Sequence, residues 1–138
     1  MDPTFSMSHS FCNSNIIHNV ALEDFRSSEQ APSGDLFFAT RSGRVKRSAL
    51  SEFKNINRSG LIALNLNDGD ALIGVVRTEP DDHVLLATEG GMAIRFQASD
   101  ARSMGRSAAG VKGMDLGKGD AIIGLIRVNS KADLLSVT

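Results

Sequence analysis

The 138-residue chain contains no tryptophan and no tyrosine, and a single cysteine, Cys12. One cysteine excludes an internal disulfide and any multi-cysteine zinc site. Aromatic residues make up only 5% of the chain, so any stacking on nucleobases rests on seven phenylalanines. Three of these, Phe37, Phe38 and Phe96, fall in strand-like runs where packing is the better use. No stretch approaches the roughly 18 apolar residues that a membrane span needs, which predicts no membrane partner. Nor does a basic start followed by an apolar centre mark a secretory signal. These absences point to a reducing, cytoplasmic home. Hydrophobic residues at 41% are ordinary for a folded chain, and the length suits a single core.

What the chain does have is a repeat. Residues 36–77, LFFATRSGRVKRSALSEFKNINRSGLIALNLNDGDALIGVVR, return as residues 85–127, LLATEGGMAIRFQASDARSMGRSAAGVKGMDLGKGDAIIGLIR. Thr40 aligns with Thr88, Gly43 with Gly91 and Arg58 with Arg106. After a two-residue insertion, Gly60 aligns with Gly110, Leu66 with Leu116, Asp70 with Asp120 and Arg77 with Arg127. A period near 50 with strand-like content indicates a repeat array, in which one unit cannot bury its apolar face alone. Leu134–Thr138 matches the start of a further unit, and Ile16–Val20 loosely matches the end of a preceding one.

Each unit predicts four short strands. The first is Leu36–Thr40 (again Val84–Thr88), turning through Gly43 (Gly91) into Arg44–Ser48 (Met92–Phe96). Glycine closing each turn suits a positive φ that a Cβ would resist. Ala49–Phe53 predicts one helical turn. The third strands, Leu61–Leu66 and Val111–Leu116, meet the fourth, Ala71–Thr78 and Ala121–Val128, at Asp-Gly and Gly-Asp turns that predict hairpins. The expected fold is all-β: two four-stranded, propeller-like blades plus partial strands of neighbouring units. The expected organisation is a leader over 1–14, the end of a preceding blade over 15–34, blades over 35–83 and 84–133, and a further first strand over 134–138.

The net charge of −1 hides an uneven distribution. Arg41, Arg44, Lys46, Arg47, Lys54 and Arg58 cluster in the first unit, and Arg95, Arg102, Arg106 and Lys112 in the second. Basic residues on the same part of successive units form a stripe, suited to phosphates along a duplex. Alternation along a strand directs some of Arg44, Lys46 and Arg47 outward. Other candidate sites are weaker. Asp68, Asp70 and Asp120 lack the remaining ligands of a calcium loop and suit turns. Gly117-Lys118-Gly119 lacks the full phosphate-loop pattern. His9, His18 and His83 fit no metal-ligand spacing. No metal, cofactor, small-molecule substrate or catalytic group is therefore implied.

The stretches LFFATRSGRVKRSALSEF (36–53), SGLIALNLNDGDALIGV (59–75) and MAIRFQASDARSMGRSAAGVKGM (92–114) resemble the C-terminal domain of the gyrase A protein of DNA gyrase, and its topoisomerase IV counterpart. The resemblance covers about residues 35–138. It implies a β-pinwheel whose neighbouring blades exchange strands and whose basic rim binds and bends duplex DNA in the bacterial nucleoid. The family cleaves DNA with a tyrosine on a separate module, and this chain has none. The Gln-Arg-Arg-Gly-Gly-Lys-Gly-like wrapping box is also missing. The expected function is non-catalytic, sequence-tolerant DNA binding. The alternative is a protein-interaction module that pairs with another copy, or with a topoisomerase subunit, through open blade edges.

Overall fold

The computed structural model describes residues 33–53, 61–128, 131 and 133–135, with two further short strands at 4–6 and 19–21. The strands are β1 (Thr4–Ser6), β2 (Asn19–Ala21), β3 (Asp35–Thr40), β4 (Arg44–Ala49), β5 (Leu72–Thr78), β6 (His83–Thr88), β7 (Ala93–Gln97), β8 (Val111–Lys112) and β9 (Ile122–Val128). Among the described residues there is no α-helix; the turn expected after β4 is a 3-10 turn at Leu50–Phe53, and another follows β7 at Ala98–Asp100. β1 pairs antiparallel with β2, so part of the segment read as a leader is strand.

The two repeats build equivalent three-stranded cores. β3 lies between β4 and β5, and β6 lies between β7 and β9, all antiparallel. The register is the same in both: Phe37 faces Arg47 as Leu85 faces Arg95. Gly43 and Gly91 close the two tight turns at φ 90° and 87°, as the absence of a Cβ permits.

The third strands differ from expectation. The turns at 67–70 and 117–120 form, with the Asp70 N–H on the Asn67 carbonyl at 3.0 Å and the Asp120 N–H on the Gly117 carbonyl at 3.0 Å. Neither makes a hairpin. β5 and β9 spend their ladder bonds on β3 and β6, and residues 61–66 form no strand. Instead Ala63 and Leu64 sink into the first apolar cluster. In the second unit only Val111–Lys112 is strand, and it joins the other repeat: Lys112 lies opposite Arg44 and Val111 opposite Val45. The first sheet is thus β5-β3-β4-β8 and the second β7-β6-β9. Two glycines permit this approach. A Cβ on Gly110 (φ +88°) would stand 2.5 Å from the Val45 carbonyl oxygen, and one on Gly113 2.5 Å from Val45 Cγ1.

Side chains alternate across a strand, and β3 is buried on both faces. Leu36 and Phe38 enter a cluster with Leu50, Phe53, Leu64 and Leu72. Phe37 and Ala39 enter a second cluster with Val45 and, from the other repeat, Val84, Leu86, Ala98 and Ile122. Phe37 meets Phe96 with ring centroids 5.9 Å apart, a tilted packing favoured by the aromatic quadrupole. Burying one such side chain contributes roughly 1.5–3 kcal/mol. This second core belongs to both repeats, which is how a unit too thin to bury its own face becomes stable.

Candidate nucleic-acid interface

The turn between β3 and β4 is held rigid by a carboxylate from the next turn. The Ser42 N–H and hydroxyl donate to Asp70 at 2.9 and 2.5 Å, and the Ala71 N–H donates to it at 2.9 Å. Burial pushes the Asp70 carboxyl up, but the hydrogen bonds from Ser42, Thr40 and Ala71 outweigh it and hold the group below the ordinary range. The second repeat copies the clamp. The Gly90 and Ala121 N–H groups donate to Asp120, each at 2.8 Å. The Gly90 bond leads in lowering that carboxyl, aided by Thr88 and Ala121 against a smaller effect of burial. Of the aspartates considered above for calcium, Asp70 and Asp120 are therefore hydrogen-bond acceptors that brace turns. Sequence reasoning had no signal for this role beyond their place beside the turn glycines.

The basic residues gather where the second repeat lies along β4. Arg41 stands exposed on the clamped turn. Half-buried Arg44 donates from Nη1 to the Gly110 carbonyl at 2.9 Å and lies opposite exposed Lys112. Past β7, the chain runs beside β4: the Met104 N–H donates to the Arg47 carbonyl at 2.8 Å, and the Ser48 hydroxyl to the Met104 carbonyl at 2.8 Å. That contact brings the loop bearing exposed Arg102 and half-buried Arg106 against the edge of β4. Arg47 pairs with Asp35 at 3.3 Å, and Lys112 pairs with Asp115 while both remain well exposed. Arg41, Arg44, Arg47, Arg102, Arg106 and Lys112 so lie on the turn, strands and loop that meet where the two repeats adjoin, with Arg44 and Arg47, three apart on β4, on opposite faces of the sheet.

Three of the sequence candidates are not in this group. Arg95 is exposed on β7, on the strand face opposite Ile94 and Phe96, which line a cavity with Val45 and Lys112. Lys54 and Arg58 lie outside the described residues. Lys46 is a correction. Its side chain is 1% exposed, with the ammonium donating to the Ala63 carbonyl at 2.6 Å and to the Arg106 carbonyl, over the Phe38 ring at 5.5 Å. Burial lowers its pKa to about 8, against Glu52, which raises it; nearby Arg106 lowers it further. Lys46 fastens the two repeats together and presents no charge to a ligand. The stripe is also less regular than the clustering suggested, because Arg41 and Arg44 have Glu89 and Met92 as their counterparts. Among the described residues no group of three or more His, Cys, Asp or Glu could hold a metal, and no helix is long and apolar enough to cross a membrane.

Stacked antiparallel sheets, with a strand passed from one repeat to the sheet of its neighbour, define a propeller-type repeat module with a basic seam between blades. The family described as DNA gyrase C-terminal domain, beta-propeller, matches residues 34–79 and 82–129. The chain belongs to that family. It is 54% identical over 79 residues to the gyrase A protein of Halalkalibacterium halodurans DNA gyrase, covering 57% of this chain and 10% of that protein. It is 49% identical over 80 residues to the gyrase A protein of Salmonella typhimurium, covering 58% and 9%. The chain thus spans about a tenth of the length of these relatives. Among solved structures, the C-terminal domain of DNA topoisomerase IV superposes with a TM-score of 0.74 at 33% identity, over 83% of this chain and 35% of that one. The DNA gyrase A C-terminal domain gives 0.65 at 28% identity, over 81% and 34%.

Proposed function

We propose that the chain binds duplex DNA without catalysis, in the bacterial cytoplasm, by drawing the phosphate backbone along the seam between its two repeats. The observation that carries this reading is the pairing of β8 with β4. It sets Lys112 opposite Arg44 and beside the Arg41 turn, with Arg102 and Arg106 along the same strand. Like charges placed directly opposite each other oppose strand pairing; Lys112 has Asp115 beside it while Arg44 donates to the neutral Gly110 carbonyl, so an anionic ligand that bridges the two bases favours the pairing. Membership of the gyrase C-terminal family supports DNA as that anion. Arginine and lysine release counterions from phosphates irrespective of base sequence, and a curved row of such contacts favours bent over straight DNA.

The test is fluorescence anisotropy of a short labelled duplex across a salt series. Arg41, Arg102 and Lys112 are exposed, so replacing all three with alanine spares the fold. Affinity is expected to fall steeply with salt in the parent chain. In the triple variant the log–log slope becomes shallower by about 3, one contact per charge removed. Binding that is absent at low salt, or unchanged in the variant, refutes the proposal.

A further inference from the structure

One face of β4 is a row of hydrogen-bond donors to the main chain of the second repeat. Side chains two apart on a strand share a face, and Arg44, Lys46 and Ser48 stand at that spacing. Each donates to a carbonyl of the loop that leads from β7 to β8. Ser48 donates to Met104 at 2.8 Å, Lys46 to Arg106, and Arg44 to Gly110 at 2.9 Å. Asn65 adds a fourth donor, from Nδ2 to the Ser107 carbonyl at 2.5 Å. The Met104 N–H returns a bond to the Arg47 carbonyl at 2.8 Å. All four acceptors are backbone groups, so these bonds engage none of the loop's own side chains.

The loop has reason to need such a hold. Residues 103–110 read SMGRSAAG. They make a parallel bridge, Arg47–Ser103, and a turn in which the Ala108 N–H donates to the Gly105 carbonyl at 3.2 Å. Gly105 and Gly110 bring the backbone freedom of a missing Cβ, and fixing each residue costs conformational entropy. A loop ordered before its ligand arrives does not meet that cost on binding. Exposed Arg102 and half-buried Arg106 stand on this held stretch. Lys46, at the centre of the row, is 1% exposed and bonds the Ala63 and Arg106 carbonyls together. It lies too deep to touch a duplex, yet it grips the backbone of an arginine at the seam. Met92, Ile94 and Phe96 hold the matching positions of the second repeat, in the same strand register, and none carries a side-chain donor. Strand pairing by itself therefore does not call for donors at these positions.

From this geometry we infer that Lys46, with Ser48 and Asn65, is a positioning residue that orders the 103–110 main chain, so that Arg102 and Arg106 meet the phosphates of a duplex already in place. The inference rests on the reading of the seam as a DNA site. It gives a buried lysine a share of the affinity that no contact with the ligand supplies.

Two measurements on the full chain provide the test. The first is deuterium exchange of the free protein at pH 7. Lys46→Met is expected to speed exchange at the Met104 and Ala108 amides by more than at the amides of β6. Asn65 is exposed, so Asn65→Ala should do the same, to a lesser degree, with the parent's melting curve. The second is anisotropy of a labelled duplex at low salt, run as a double-mutant cycle. Lys46→Met should weaken binding by about three- to tenfold, but leave it unchanged in an Arg102→Ala/Arg106→Ala background, where no arginine is left to position. A lysine acting through fold stability or through its own charge would weaken both alike. Loop amides that exchange no faster in either variant overturn the inference. So does a Lys46→Met loss that is the same with and without the two arginines; in both cases the parent still binds and the seam reading survives. A parent chain that binds no duplex at low salt removes the seam reading, and the inference with it.

Discussion

Lys46 carries its charge into a site enclosed by Phe38, the Ala63 carbonyl and the Arg106 carbonyl. Below pH 8, folded and unfolded chains both hold the proton, and burial of the charge is a constant cost. Between about 8, the folded value, and about 10.4 in the unfolded chain, the unfolded state binds more protons. Stability from this group therefore rises with pH across that window and levels off above it. Lys46→Met removes the titration. Denaturant melts from pH 7 to pH 11 should show the parent gaining about 2–3 kcal/mol relative to the variant. A parallel pair of curves would place the ammonium in water. The second repeat has Ile94 at this position, where it is 37% exposed. Nothing local in the sequence marks Lys46 as buried, because its two acceptors come from residues 17 and 60 positions away.

At the scale of elements, strands β3, β4, β5, β6, β7 and β9 were legible because each is written locally, by apolar content and by a turn glycine at its end. The destination of the third strand was not. Val111–Lys112 satisfies the same local rules whether it pairs within its own repeat or beside β4, and only close packing decides. Gly110 and Gly113 carry that decision, since each lies against Val45 where no side chain fits. Gly110→Ala places a Cβ both in a disfavoured φ region and against a backbone oxygen. The expected cost is about 2–4 kcal/mol. Gly91 has nearly the same φ, 87°, but nothing within 4 Å, so Gly91→Ala should cost only about 1–2 kcal/mol. Urea melts of the two variants separate conformational strain from steric contact. Equal losses would mean that β8 does not need the close approach. The basic seam shares this history: its residue types were legible in the sequence, but the gathering of Arg44 with Lys112 follows from strand exchange.

For the molecule as a whole, the core that matters most is the one neither repeat owns. Phe37 and Ala39 of one sheet meet Val84, Leu86 and Ile122 of the other in a single cluster, so the sheets stabilise each other as nearest neighbours in an array do. Cooperativity is then expected to extend across both repeats. Phe37 is fully buried, and Phe37→Ala removes a ring from this shared cluster at a cost of roughly 3–5 kcal/mol. Amide hydrogen exchange locates the loss. If the shared core couples the sheets, the most protected amides of β3 and β6 lose protection by the same factor, because both exchange through one global opening. Protection lost in β3 but kept in β6 would instead show two folding units resting on each other. Equal loss also bears on the seam, because Arg44 and Lys112 remain opposite each other only while the two sheets stay docked. Sheet docking and the capacity to hold an anion between repeats are then one property of the fold, and Phe37→Ala, which removes no charge, should weaken DNA binding under conditions that partly unfold the chain.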